Sequence, residues 1–113
     1  MSNIRKSITS KFVKSEDYSL KSKKEDFLAE AILSLKTKKE VGFFLRDILT
    51  PNEILEFSNR LYIAQMVFKG HSYAQIAKEI KTSTTTVSRV AYWLYSGCGG
   101  YNLVMKRLVK KKD

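Results

Sequence analysis

The chain has 113 residues, with 21 Lys and Arg against 11 Asp and Glu, so its formal net charge is +10. This length fits one domain with extensions, and its core is small enough that self-association would help to bury apolar surface. No apolar run approaches the roughly 18 residues of a membrane span, and residues 1–10 lack the apolar centre of a signal peptide. We therefore expect a cytoplasmic protein, whose single cysteine suits a reducing compartment.

The basic charge is concentrated at the two ends of the chain. Residues 1–24 hold seven basic and two acidic residues, and residues 106–113 hold five and one. Basic ends suit contact with nucleic acid, but they are also common as solubilising tails. We predict a flexible basic arm over residues 1–21, a helical domain over residues 22–108 and a basic tail over residues 109–113.

Helix starts are marked along the chain by a Ser or Thr followed three residues later by Glu or Gln, the pattern of a capping box. A proline at the first helical position strengthens the start at residue 50, and Gly70 is placed as a C-terminal cap. Apolar residues 27–35 form a stripe at helical spacing, which we interpret as core or dimer interface. Six helices follow, including a last one after residue 100, and the fold class is all-α. The capping pairs are Ser22 with Glu25, Thr37 with Glu40, Thr50 with Glu53, and Ser72 with Gln75.

Residues 72–96 carry the apolar spacing of two helices that cross at a tight turn. Ile76 and Ile80 line the first helix, while Val87, Val90 and Leu94 line the second. The capping box at residue 72 starts the first helix, and either residue 82 or residue 83 can cap the second. The pattern predicts a helix-turn-helix.

The polar face of the second helix has hydroxyls, a guanidinium and a phenol but no carboxylate, so nothing on it repels phosphate. Such a face can enter a major groove, where hydroxyls bond phosphates or base edges. Two other interpretations stay open: a weakly specific architectural DNA-binding protein, and a helical protein-interaction module with solubilising tails. The predicted DNA contacts are Ser83, Thr84, Thr85, Thr86, Ser88, Arg89 and Tyr92 on the second helix, with Ser72, Tyr73 and Lys78 touching the backbone from the first.

The sequence contains no pattern typical of an enzyme. His71 is the only histidine and Cys98 the only cysteine, so one chain cannot supply four nitrogen and sulfur ligands to zinc. The carboxylates mostly fall at helix starts, where capping and the helix dipole account for them. We predict no catalytic residues, no metal and no cofactor.

Several ordered blocks resemble the Trp repressor family, and especially its TrpR-related YerC/YecD branch. They are ILSLK at residues 32–36, LTPNEI at residues 49–54, NRL-x-IA-x-M at residues 59–66 and STTTVSRV at residues 83–90. The resemblance implies an intertwined homodimer whose two helix-turn-helix units read successive major grooves of a double-stranded operator. It implies a sequence-specific transcriptional regulator, and we expect a repressor.

The resemblance also implies a possible effector pocket, which departs from the family pattern. Arg60 and Arg89 match the two arginines that hold the corepressor's indole, and Thr50 matches a residue of the pocket wall. Val90 and Trp93 replace a glycine and a serine, and both replacements add bulk where the ligand would lie. L-tryptophan is therefore not the expected effector. The Trp93 indole either takes the ligand's place between the arginines or packs in the core.

Overall fold

The computed structural model describes residues 12–109, and within them it contains six α-helices and no β-strand. The predictions of six helices and an all-α fold are confirmed. Expectations for residues 1–11 and 110–113, which carry half of the basic residues of the two ends, lie outside the described residues. The helices are α1 (Lys23–Leu33), α2 (Lys38–Ile48), α3 (Pro51–Phe68), α4 (Tyr73–Ile80), α5 (Thr84–Tyr95) and α6 (Gly100–Leu108).

The helices begin where the capping residues stand in the sequence. Ser22, Thr37, Ser72 and Ser83 each accept a hydrogen bond from the backbone N–H three residues later. At the start of α3 the bonding is reciprocal, because Thr50 accepts from the Glu53 amide at 3.1 Å while its own amide donates to the Glu53 carboxylate at 2.9 Å. These bonds satisfy amides that have no partner inside the helix.

The chain divides into two compact units, one formed by residues 18–57 and the other by residues 12–17 and 58–109. In the unit of residues 18–57 no side chain is buried, and Phe27 and Leu33 are 71% and 83% exposed. The stripe over residues 27–35 is therefore not part of a core within this chain. The second interpretation of this stripe, as a dimer interface, stays a prediction.

The buried core lies within residues 58–109. Four helices contribute to it, and Ala77 supplies a small side chain on α4, as its place in the helix-turn-helix requires. None of the described helices is both long enough and apolar enough to cross a membrane. The buried apolar residues are Ile63, Ala64, Val67 and Phe68 of α3, Ile76 and Ala77 of α4, Val87, Val90, Ala91 and Leu94 of α5, and Met105 of α6.

Residues 12–17, here called the strap, belong to the same unit as the helix-turn-helix. The Val13 amide donates to the Tyr95 carbonyl at 3.0 Å, and the Ser15 and Glu16 amides both donate to the Gly97 carbonyl. A flexible arm was expected over residues 1–21. The strap differs from this expectation because its backbone is hydrogen-bonded to the segment that follows α5.

The helices α3 and α4 end in the same way, but with different residues in the left-handed conformation. Gly70, at φ 94°, follows α3, and the amide of the next residue reaches back to the Met66 carbonyl. At the end of α4 the same position is held by Lys81, at φ 59°, and the Thr82 amide reaches back to the Ala77 carbonyl. This arrangement, a Schellman motif, favours glycine, so Lys81 holds a conformation that costs a non-glycine residue about 1–2 kcal/mol.

We predict that Lys81→Gly raises the free energy of unfolding by about 0.5–1 kcal/mol, because relief of the left-handed strain outweighs the greater entropy of glycine in the unfolded chain. Lys78→Gly is the matched control. It makes the same change inside α4 and should lower the free energy by about 1 kcal/mol. Urea unfolding at one protein concentration measures both, and a loss of stability in Lys81→Gly would contradict the assignment of strain.

Candidate nucleic-acid interface

Helix α5 has one buried face and one exposed face. The buried face carries Val87, Val90, Ala91 and Leu94, all inside the core. The residues of the exposed face recur at helical spacing, and none of them is acidic, as the sequence indicated. It consists of Thr84, Thr85, Ser88, Arg89, Tyr92 and Trp93.

Two of the predicted DNA contacts, Ser83 and Thr86, use their hydroxyls in hydrogen bonds within the chain. The Ser83 side chain accepts from the Thr86 amide at 3.1 Å and also lies 3.1 Å from the Thr86 hydroxyl oxygen. These two hydroxyls hold the first turn of α5 together. Ser83 is itself exposed, and so are the neighbouring Thr84, Thr85 and Ser88.

The first helix of the pair, α4, is positioned by its own cap and by one tyrosine. Ser72 accepts from the Gln75 amide at 3.1 Å. Tyr73, the first residue of α4, is half-buried, and its hydroxyl meets that of Tyr95, the last residue of α5. Burial, and then this hydrogen bond, raise the pKa of Tyr95 above its usual range. Tyr73 therefore links the two helices, whereas Lys78 is exposed on α4.

Basic residues greatly outnumber acidic residues in residues 58–109. This segment has seven basic residues and one acidic residue, Glu79, whereas residues 25–57 have four basic and seven acidic. The Glu79 carboxylate accepts a hydrogen bond from the Tyr62 hydroxyl at 2.9 Å, which raises the pKa of Tyr62. This difference in charge is visible in the sequence only when residues 25–57 and 58–109 are counted separately. The basic excess of residues 58–109 suits a polyanionic partner. The basic residues are Arg60, Lys69, Lys78, Lys81, Arg89, Lys106 and Arg107.

Val90, one of the predicted effector-pocket residues, is 6% exposed and packs in the core. Arg60 and Arg89 are exposed on α3 and α5. The charge of Arg60 acts on Tyr101, whose pKa is nevertheless raised because burial outweighs it. Thr50 serves as the cap of α3.

Trp93 does not fill the core, because 47% of it is exposed. Its ring packs edge to face against Tyr92, with the ring centroids 5.0 Å apart and the planes at 80°. The interpretation that it packs in the core is therefore wrong. The indole lies on the surface because residue 93, although next to Leu94 in the sequence, points to the side of the buried face of α5. Its suggested place between Arg60 and Arg89 stays a prediction.

An apolar groove of about 460 Å³ lies between α3 and α6, and none of the predicted pocket residues lines it. Leu61 and Tyr62 line one side, and Val104 and Met105 line the other. Leu61 and Val104 are exposed along this groove.

Three comparisons with known proteins agree with this geometry. The sequence model of the family described as Trp repressor protein matches residues 23–109. The chain is 38% identical over 89 residues to YerC of Bacillus subtilis (strain 168), a protein described as uncharacterized, and this covers 79% of the chain and 86% of YerC. Among solved structures, a TrpR-like protein from Eubacterium eligens ATCC 27750 has 39% identity and a TM-score of 0.76, covering 83% of this chain and 97% of that one. A proposed Trp repressor from Staphylococcus aureus has 35% identity and a TM-score of 0.75, covering 81% and 93%.

The two kinds of hydroxyl on α5 can be separated by their effect on stability. We predict that Ser83→Ala lowers the free energy of unfolding by about 1 kcal/mol, because it removes the N-cap of α5. Ser88→Ala removes the same hydroxyl from the exposed face and should change stability by less than about 0.5 kcal/mol. Chemical denaturation measures both variants. Equal losses would show that Ser88 also has a structural role.

Proposed function

Because the chain belongs to the Trp repressor protein family, we propose that it is a sequence-specific regulator of transcription that binds double-stranded DNA and acts as a repressor. The observation that carries the proposal is the exposed face of α5, which has hydroxyls and a guanidinium but no carboxylate and lies in a segment with one acidic residue among seven basic ones. The protein would work in the bacterial cytoplasm, associated with the nucleoid.

The proposed contacts fall into two classes. Arg89, Thr85 and Ser88 are exposed on α5 and reach base edges, where a guanidinium can bond guanine and a threonine methyl can touch thymine. Lys78 contacts phosphates from α4, and the basic ends add phosphate contacts that are independent of sequence. The single arginine among hydroxyls also supports a second candidate, an architectural protein of weak specificity, because hydroxyls form fewer bidentate contacts with bases.

The partner of the exposed apolar surface is, in our proposal, a second copy of the chain. In residues 18–57 the helices α1 and α2 have 11 residues each and bury no side chain, and helices of that length are marginal without packing. Their exposed apolar side chains, together with the groove between α3 and α6, offer complementary surfaces to an identical chain. A dimer would also present two α5 helices to successive major grooves.

We propose that DNA binding needs no free L-tryptophan, and that L-tryptophan is not a ligand. Val90 and Trp93 are larger than the family residues that they replace, and Val90 fills part of the core. A ligand in that place would have to displace packed side chains, which typically costs about 1–3 kcal/mol.

We expect light scattering to show a dimer at micromolar concentration. Ile32→Lys should dissociate or unfold it, because a charge on the apolar stripe would be buried at the interface. Glu30→Lys is the control, since it places the same side chain on an already polar part of α1. A folded monomer of the unmodified chain, or equal behaviour of the two variants, would contradict the proposed dimer.

The two classes of DNA contact predict different losses on DNA selected from random fragments. Arg89→Ala should cost about 1–3 kcal/mol on the selected operator and relax its sequence preference. Lys78→Ala should weaken binding to all duplexes alike and reduce the slope of log affinity against log salt concentration by about 1, whereas Lys38→Ala on α2, outside the helix-turn-helix and the basic ends, should change neither.

The titrations are repeated with L-tryptophan, which should alter none of them. Tryptophan-dependent binding by the unmodified chain would refute the proposal that L-tryptophan is not needed. A uniform loss for Arg89→Ala across all sequences would favour the architectural candidate over a specific regulator.

A further inference from the structure

The strap lies outside residues 23–109, the part of the chain that matches the family, yet it is hydrogen-bonded to the end of α5. We propose that the strap is a positioning element that caps the C-terminus of the recognition helix and holds α5 in the orientation that binds DNA. This inference rests on the proposed function for its effect on DNA, although its effect on α5 can be measured without DNA.

A glycine of positive φ, Gly97 at 27°, follows the end of α5, but other usual features of a helix C-terminus are missing there. The helix has no basic residue in its last turn, and its cap residue Ser96 has an irregular backbone conformation, with φ −130° and ψ −93°. The Tyr95 carbonyl belongs to the group of four at a helix end that have no partner inside the helix. The Val13 amide provides that partner at 3.0 Å. The strap therefore supplies a cap from a distant part of the sequence.

The strap also fixes the glycine-rich loop between α5 and α6. Both the Ser15 amide, at 3.1 Å, and the Glu16 amide, at 3.2 Å, donate to the Gly97 carbonyl. The Phe12 ring lies against Gly99, where a Cβ atom would come within 3.2 Å of the ring. Glycine segments lose much conformational entropy on ordering, so these contacts offset a cost that the loop sequence imposes.

Contact with Tyr95 extends the effect of the strap to both helices of the helix-turn-helix. The Tyr95 carbonyl accepts from the strap, while its hydroxyl interacts with Tyr73 at the start of α4. The same residue thus joins the strap, the end of α5 and the start of α4. Loosening the strap would let the last turn of α5 fray, and the entropy of reordering it would then oppose DNA binding.

The strap is held mainly by its backbone. Val13 is exposed, and the pair of Lys14 and Asp17, at 2.8 Å, is also exposed, so its contribution to stability is small. Removing backbone donors is therefore the direct test. Proline lacks the N–H group, and Val13→Pro with Ser15→Pro removes two of the three donors while leaving every charge in place.

The test compares the full-length double variant Val13→Pro, Ser15→Pro with the unmodified chain and with Ser19→Pro, a proline outside the strap. Hydrogen exchange of the last-turn amides of α5 should be at least about tenfold faster in the double variant, while amides in the middle of α3 are unchanged. Affinity for the selected operator should fall about tenfold, which is about 1.4 kcal/mol. For the double variant, the slope of log affinity against log salt concentration should be unchanged, because no charge is lost. Ser19→Pro should match the unmodified chain.

Phe12→Ala keeps every backbone donor, so it should change the hydrogen exchange of α5 and the operator affinity in the same direction but by less. This variant keeps the test informative if the double variant unfolds. Unchanged exchange in α5 for both strap variants would overturn the proposal, and so would faster exchange with unchanged operator affinity. If the unmodified chain binds no duplex, the proposed function fails, but the exchange of α5 still reports whether the strap caps this helix.

Discussion

Burial of one side of α5 is the constraint on which the other features of the candidate interface depend. Val87, Val90 and Leu94 lie in the core, so the helix can present only its opposite side to solvent. That opposite side carries Arg89 and the exposed hydroxyls. The rotation of α5 about its axis is thus set by apolar packing, while the chemistry offered to a partner is set by residues that contribute little to the core.

The two units differ in a way that combines charge with packing. Residues 58–109 have a core and an excess of basic residues, whereas residues 25–57 are acidic overall and residues 18–57 bury no side chain. A segment without a core gains stability only from a surface supplied by another part of the protein or by another chain. Acidic residues in this segment are compatible with an assembly role, whereas they would oppose contact with phosphate. This division supports DNA binding by one unit and association through the other.

Features with a local cause could be predicted from the sequence, and features that join distant segments could not. The caps at Ser22, Thr37, Ser72 and Ser83 depend on residues three positions apart, and the buried face of α5 depends on helical spacing. The strap is held by backbone amides, which every residue except proline has, so its side chains carry no signal of where it binds. The exposure of Trp93 was not predicted either, because a large aromatic side chain near apolar neighbours usually indicates a core position.

The same limit applies within α5, where residues of one chemical type have different roles. The Ser83 hydroxyl accepts from the Thr86 amide and bonds to the Thr86 hydroxyl, while Thr84, Thr85 and Ser88 have exposed side chains. Sequence spacing places all five near the start of one helix, but only the geometry of the cap separates the structural pair from the others. A hydroxyl that holds the cap is fixed in place by the helix, and only its remaining bonding capacity is left for a base. Sequence discrimination in the proposed complex therefore depends on fewer side chains than the motif suggests, and Arg89, with its five fixed donors, becomes the principal reader.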